Sequence, residues 1–290
     1  MTKGKIARDV KDVKGIKSVE VGYRVLLAVQ GGPGPVKLSE VAKRCGLTSG
    51  AAHNYITSLV RTGLVEQEDR GRYRLGPSAF ALSLTSFRQL NGYDILRDIA
   101  KELNALTNQS TAVAVWSQGG PVSVFALRSE DVGSYEFRSG HLPLTDSGAG
   151  LVFIAYLHES HTRPLLELEL GVEDGSQEEI DRVIADARTQ TLPAGYALHV
   201  YEDPAPYALS APVQMKDGRI PFVLTIVVHK AISPKLRASW AGELVAAAAR
   251  AAESLADMDV GGPLAEFQSP FATDPTNRFG RSGAKRSSRS

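Results

Sequence analysis

The sequence predicts an α+β chain in two folded parts: an N-terminal winged helix-turn-helix and, beyond a linker helix, a larger α+β body. Three observations predict it. Helical periodicity over residues 16–62 gives way to two short extended pieces around a charged turn. Strand pairs then mix with amphipathic helices over residues 93–258. The charge is also divided: residues 1–78 carry +7, residues 79–258 carry −8 and residues 259–290 carry +2, within a total of +1. A basic head on an acidic body points to a polyanionic partner for the head alone. At 290 residues, 43% hydrophobic and 22% charged, the chain has the size of about two domains and enough apolar surface for a sizeable core.

Several classes drop out. The uncharged apolar runs Ser147–Leu157 and Ile220–Val228 fall well short of the ~20 residues of a membrane-spanning helix. The basic start Met1-Thr2-Lys3-Gly4-Lys5 is followed by no apolar segment, so no secretory leader is expected. The single Cys45 excludes an intrachain disulfide framework and a cysteine-based metal cluster, and a reducing cytoplasm is the expected home.

The elements follow in order. Residues 1–14 read as a flexible basic arm. Val21, Val25, Leu26 and Val29 share one face of a first helix, ended by Gly31-Gly32-Pro33-Gly34-Pro35. A second helix, Leu38–Cys45, starts near Leu38 or Ser39 and has Gly46 just past its end; Leu47-Thr48 lead into a third, Ser49–Arg61, closed by Gly63. Leu64–Gln67 and Tyr73–Leu75 form a hairpin around Glu68-Asp69-Arg70-Gly71-Arg72, which bounds a head at residues 15–76. A linker helix runs from Pro77 to about Leu90 within residues 77–92; Ala79, Phe80, Leu82, Leu84 and Phe87 make much of its surface apolar, a natural contact for a second copy.

The body, residues 93–258, opens with an amphipathic helix at 93–107. A hairpin of Thr111–Trp116 and Val122–Arg128 follows, then helices at 148–158, 162–170 and 176–191, then a second hairpin of Ala208–Gln214 and Ile220–Val228. A terminal helix, Ser233–Met258, carries Leu236, Trp240, Leu244 and Leu255 on one face. Residues 259–290, rich in Pro, Gly and Ser, read as a disordered basic tail.

Two short helices joined by a glycine-containing turn make the helix-turn-helix unit, whose second helix must present small or hydrogen-bonding side chains to a DNA major groove. Ala52, Tyr55, Ile56 and Leu59 supply the buried stripe of the third helix; Ser49, Gly50, Ala51, His53, Asn54, Thr57 and Ser58 stay outside, with Thr48 and Arg61 at its ends and no acidic residue on that face. Asn54 suits adenine N6/N7, and His53 suits a guanine or a phosphate. Arg70, Arg72 and Arg74 alternate on the hairpin as a wing strand would, to follow the backbone or enter the minor groove. Each has a plainer reading: His53 as a solvated or phosphate-contacting side chain, Arg74 as the partner of a carboxylate on the body.

Here a family becomes visible. Gly46-Leu47-Thr48-Ser49-Gly50-Ala51-Ala52-His53, Gly63-Leu64-Val65-Glu66 and Gly71-Arg72-Tyr73-Arg74-Leu75-Gly76 resemble the winged-helix domain of IclR-type bacterial transcription regulators. Leu142-Pro143-Leu144-Thr145-Asp146-Ser147-Gly148-Ala149-Gly150 is similar to that family's loop-to-helix segment, and Gly195-Tyr196-Ala197, Ser210-Ala211-Pro212-Val213 and Asp217-Gly218-Arg219 to its C-terminal signature. The resemblance covers roughly residues 15–258. It implies a GAF/profilin-like body that senses a small organic acid, and a homodimer or homotetramer that binds double-stranded operator DNA.

From the residues alone, Asp146-Ser147-Gly148-Ala149-Gly150 opens a helix whose first N–H groups favour a carboxylate, or whose small residues only permit close packing. The predicted effector residues are Ser147, Gly148, Ala149, Gly150, Tyr207, Ala208, Thr225 and Val227. Against the family pattern, Ala208 stands for a frequent Cys, Thr225 and Val227 for Ser, Val228 (followed by His229) for Ala or Gly, and Asp146 for Ala; the segment Tyr201–Tyr207 is about one residue short. These departures suggest a ligand more apolar than glyoxylate or pyruvate, an aromatic or other bulky weak acid, with Asp146 opposing an anion unless it points away. A DNA-binding protein that senses no ligand is a further reading.

Catalysis has weak support. Ser147 lacks the glycine two residues earlier that a nucleophile elbow needs, since Thr145 stands there. His158 and His161 at i, i+3 lack a third ligand, and His141, His199 and His229 are dispersed. No cofactor, metal or membrane partner is expected. A small-molecule, hydrolase-like enzyme with the head serving only oligomerisation is the different-class alternative.

Overall fold

A computed structural model of the chain describes residues 15–258 and 260, apart from 31–33, 89, 118, 130–139, 172–176 and 202–205, and the side chains of 87 and 88. The arm at 1–14, the tail beyond Val260, the turn at Gly31-Gly32-Pro33 and most of the Tyr201–Tyr207 loop lie outside the described residues. The chain divides into two compact units after residue 89.

In the first unit, α1 (Lys17–Gln30), α2 (Leu38–Cys45) and α3 (Ser49–Arg61) pack on a small sheet of β1 (Val36–Lys37), β2 (Val65–Glu68) and β3 (Arg72–Leu75), in the order β1-β3-β2 and antiparallel throughout. Both helices of the turn unit match their predicted limits. Gly46 ends α2 in the left-handed region at φ +62°, which lets the Leu47 N–H reach Ala42 O at 2.9 Å. Val25, Val29, Val36, Val41, Ile56, Val65 and Tyr73 form one core. Removing the larger of these side chains should cost about 2–5 kcal/mol each. Tyr55 and Leu59 of the expected stripe are only half-buried. Helix α4 (Pro77–Arg88) falls in this unit, joined to it by the Ser78 N–H bond to Gly63 O at 3.0 Å. Its Phe80, Leu82 and Leu84 are exposed.

The second unit is a six-stranded antiparallel sheet in the order β6-β5-β4-β9-β8-β7, built from β4 (Ser110–Ser117), β5 (Gly120–Leu127), β6 (Gly140–His141), β7 (Ala197–Val200), β8 (Tyr207–Val213) and β9 (Phe222–Val228). Strands β6 and β7 are edge strands that the sequence left unread. Alternation sorts the side chains to two faces. Val113, Val115, Tyr207, Leu209, Ala211, Phe222, Leu224 and Ile226 meet α5 (Tyr93–Thr107) and α9 (Pro234–Ser254). The opposite face meets α6 (Gly148–Tyr156), behind which lie α7 (Glu159–Leu170) and α8 (Gln177–Ala194). The core on that side includes Ala114, Trp116, Phe153 and Val223, with the Trp116 and Phe153 rings 5.2 Å apart.

The face of α9 differs from the one expected. Leu244 and Leu255 are buried, but Leu236 is exposed and Trp240 half-buried; Ala241, Ala247, Ala248 and Ala251 supply the rest of the contact. Small side chains let this helix lie close on β8, so packing distance rather than hydrophobicity chose its face. Among the described residues no helix is long and apolar enough to cross a membrane.

Candidate functional site

Two surfaces carry chemistry, one in each unit. On the head, Thr48 is the N-cap of α3: its Oγ1 accepts the Ala51 N–H at 3.3 Å. This residue, expected as a DNA contact, therefore spends part of its capacity on the helix. Ser49, Gly50, His53, Asn54, Ser58 and Arg61 are exposed, and Ala51 and Thr57 are half-buried. Thr57 Oγ1 donates to His53 O at 2.8 Å and Ser58 Oγ to Asn54 O at 3.0 Å. Their hydroxyl protons point back into the helix, so outward they offer acceptors, suited to a base amine and not to a phosphate. His53 and Asn54, both exposed, carry ring and amide N–H donors on this face.

The wing is a true hairpin, with Glu66 opposite Arg74 and Glu68 opposite Arg72. Its three arginines are not equivalent. Arg70 sits exposed at the tip at φ +67°. Arg72 donates to Pro35 O at 3.1 Å. Arg74, expected to grip DNA, bonds Glu66 and lies 2.8 Å from Glu68. The registry of β2 and β3 pairs it within the head, not with a carboxylate on the body. Two carboxylates already face its charge, so it has less left to offer outward than Arg70.

In the body, a cavity of about 290 Å³ opens on the α6 face of the sheet. Ala112, Ala114, Leu142, Pro143 and Val227 give apolar walls; Ser123, Asp146, Tyr201, Thr225, His229 and the first turn of α6 give the polar ones. Ser147 caps α6, its Oγ accepting the Gly150 N–H at 2.9 Å and donating to Pro143 O at 2.6 Å. That hydroxyl is committed, which answers the nucleophile question for Ser147. The Leu151 N–H bonds Ser147 O. The N–H groups of Gly148 and Ala149, both lining the cavity, are left to a ligand or solvent.

The two glycines have separate reasons. A Cβ on Gly150 would strike the carbonyl oxygens of Leu144 and Pro143, so Gly150 is a packing residue away from the cavity. A Cβ on Gly148 would meet Ser210 Oγ at 2.5 Å and the Ala208 Cβ at 3.1 Å. Ala208 thus abuts the cavity wall without lining it. Thr225 and Val227 do line it, with Thr225 Oγ1 2.8 Å from Ser210 Oγ.

Tyr207 is misplaced by the sequence reading. It starts β8 on the other face, packed toward α5 and α9, its hydroxyl buried and its acidity pushed down by burial. It cannot reach the cavity.

Several lining residues went unnoticed: Ala112, Ala114, Ser123, Leu142, Pro143, Tyr201 and His229. One signal was available, two alanines at alternate positions in a strand otherwise rich in Val and Trp, which leave room above the sheet. The loop leading into α6 is clasped from α7, where Glu169 accepts the Leu144 N–H at 2.7 Å, the Thr145 N–H at 2.8 Å and the Thr145 hydroxyl. Asp146 Oδ1 lies 3.1 Å from His199 Nε2, and the His199 ring meets Tyr201 edge-on at 4.6 Å. His229 Nε2 lies 3.0 Å from Ser110 Oγ, and burial holds the ring's pKa below the ordinary histidine value. His158 caps α7, its Nδ1 accepting the Ser160 N–H at 3.2 Å; the described residues hold no group of three side chains able to bind a metal.

Residues 18–69 match the IclR helix-turn-helix domain. The chain is similar to the ArcR transcriptional regulator of Halobacterium salinarum, 27% identical over 75% of this chain and 84% of that one. Matches to other curated regulators span 57% and 61% of their lengths. Among solved structures, its fold is similar to that of an IclR family transcriptional regulator from Brucella abortus, with a TM-score of 0.69 and 18% identity over 84% of this chain and 94% of that one. It is also similar in fold to an IclR homologue from Microbacterium hydrocarbonoxydans complexed with 4-hydroxybenzoate, with a TM-score of 0.51 and 19% identity over 82% and 99% of the two chains.

Proposed function

We propose that this chain is an IclR-type transcriptional regulator that binds operator DNA as a homo-oligomer and answers to a small weak acid held in the body cavity. The observation that carries the reading is the matched head with its exposed α3 face: Ser49, Gly50, His53, Asn54 and Ser58 stand outward, and α3 itself carries no acidic residue. Asn54 and His53 are the base readers. Arg70 and Arg61 supply phosphate contacts, with Arg72 and Arg74 secondary. Two heads read a two-fold site whose halves lie about 34 Å, one helical turn, or a multiple apart.

The working parts are the head at 15–76, the connecting helix and the sensing body at 93–258. The exposed Phe80, Leu82 and Leu84 of α4 support contact with a second copy. The Gly148 and Ala149 N–H groups take the effector's carboxylate, and the apolar walls take a ring. The aromatic acid bound by the Microbacterium protein supports this class of ligand. Binding shifts the arrangement of the heads by favouring one state over another. The chain works in the cytoplasm and is not an enzyme, in keeping with relatives that are regulators.

A gel shift of the full chain against the DNA upstream of its own gene tests the reading. A shifted band that survives competitor DNA, and whose midpoint moves with an aromatic acid, is expected. No preference for that fragment would remove the operator assignment, and an acid-insensitive band would remove the sensing one.

A further inference from the structure

Resting on the reading of the body cavity as an effector site, we propose that Asp146 selects the effector: the ligand brings a hydrogen-bond donor to the Asp146 carboxylate and carries no more than one negative charge of its own. Among the described residues that line the cavity there is no Lys or Arg, and the only carboxylate is Asp146. A ligand anion therefore finds no side-chain cation there. The backbone N–H groups of Gly148 and Ala149 can hold one carboxylate; a second would be brought beside the Asp146 carboxylate, and like charges repel.

The carboxylate is built in, not merely nearby. Asp146 Oδ1 is 3.1 Å from His199 Nε2, and His199 rests edge-on against Tyr201, itself a wall of the cavity. From the other side, Glu169 holds the backbone of Leu144 and Thr145, immediately before Asp146. An ionised carboxylate only accepts, through about four lone-pair sites, and His199 occupies one of them. What remains is an acceptor at the cavity mouth, since the Asp146 side chain is 62% exposed. The group that suits it is a hydroxyl or amine on the ligand. His229, on the same wall, is held toward its neutral form by burial and supplies no competing positive charge. The cavity, about 290 Å³ with Ala112, Ala114 and Val227 in its walls, fits one substituted ring.

Calorimetric titration of the full chain with benzoate, 3-hydroxybenzoate, 4-hydroxybenzoate and phthalate tests the proposal. At least one hydroxybenzoate should bind about tenfold tighter than benzoate, the gain of one hydrogen bond to a charged group, and phthalate should bind at least about tenfold more weakly. In Asp146→Ala the hydroxyl preference should fall to about one, with benzoate bound as tightly as before or tighter. Should that variant not fold, Asp146→Asn keeps the shape and should abolish the penalty on phthalate. Benzoate and both hydroxybenzoates binding the native chain within twofold of each other, or a hydroxyl preference that survives Asp146→Ala, would overturn the role of Asp146 alone. Binding of none of the four would overturn the effector reading of the cavity, and this inference with it.

Discussion

Helices α3 and α6 begin alike and serve opposite surroundings. Each starts at a hydroxyl residue that accepts the N–H three residues on, Thr48 from Ala51 and Ser147 from Gly150. Each has glycine in its first turn. Yet α3 buries only Ala52 and Ile56, whereas α6 is buried at eight of its nine positions. The first turn of α3 therefore meets whatever approaches from outside. That of α6 meets only what fits a cavity. Local sequence sets the cap; the neighbours decide whether the same start faces the outside or a cavity.

The glycines give the largest test of this contrast. Gly150→Ala should destabilise the body by about 3 kcal/mol, because its Cβ meets the Leu144 and Pro143 carbonyls. Gly50→Ala meets nothing within 4 Å and should raise helix stability by about 0.5 kcal/mol. Urea denaturation of both variants measures the pair, and equal effects would erase the distinction drawn here. Next in size, Asn54→Ala should cost about 2 kcal/mol of discrimination between an operator and its base-substituted variants, read by competition binding, with little change in stability. Glu169→Gln, which turns one acceptor toward the Leu144–Thr145 backbone into a donor, should cost about 1 kcal/mol of stability and weaken effector binding while leaving operator affinity without effector unchanged.

The smallest effect is in pH. His141 and His229 are both held below the ordinary histidine value of 6.5 by burial. A histidine so depressed binds its proton more readily in the unfolded chain, so stability is fully present above the unfolded value and declines as pH falls through it. The melting temperature should be lower at pH 5.5 than at pH 7.5, and a flat profile would count against the burial of both rings.

Where the sequence was legible follows from the same physics. The limits of α2 and α3 were readable because Gly46, Ser49 and Gly63 punctuate a 3.6-residue period. Strands β1 and β6 were not, since two residues carry no period of their own and exist only through their partners. Tyr207 was assigned to the wrong face because every residue of β8 is buried, so alternation between polar and apolar, the usual signal of facing, is missing. Arg74 was legible as a wing cation but not as a paired one, since the pairing depends on the register that sets Glu66 opposite it. The cavity was half legible: the opening of α6 announced itself, while Ala112, Ala114 and Tyr201 are brought to it by sheet order.

The most direct trial of the account is the salt dependence of binding, by fluorescence anisotropy, to the upstream fragment and to a random duplex of equal length. A DNA-reading α3 face predicts tighter binding to the upstream fragment at every salt concentration, with both affinities falling as salt rises. Identical curves for the two duplexes, or no binding at low salt, would contradict it.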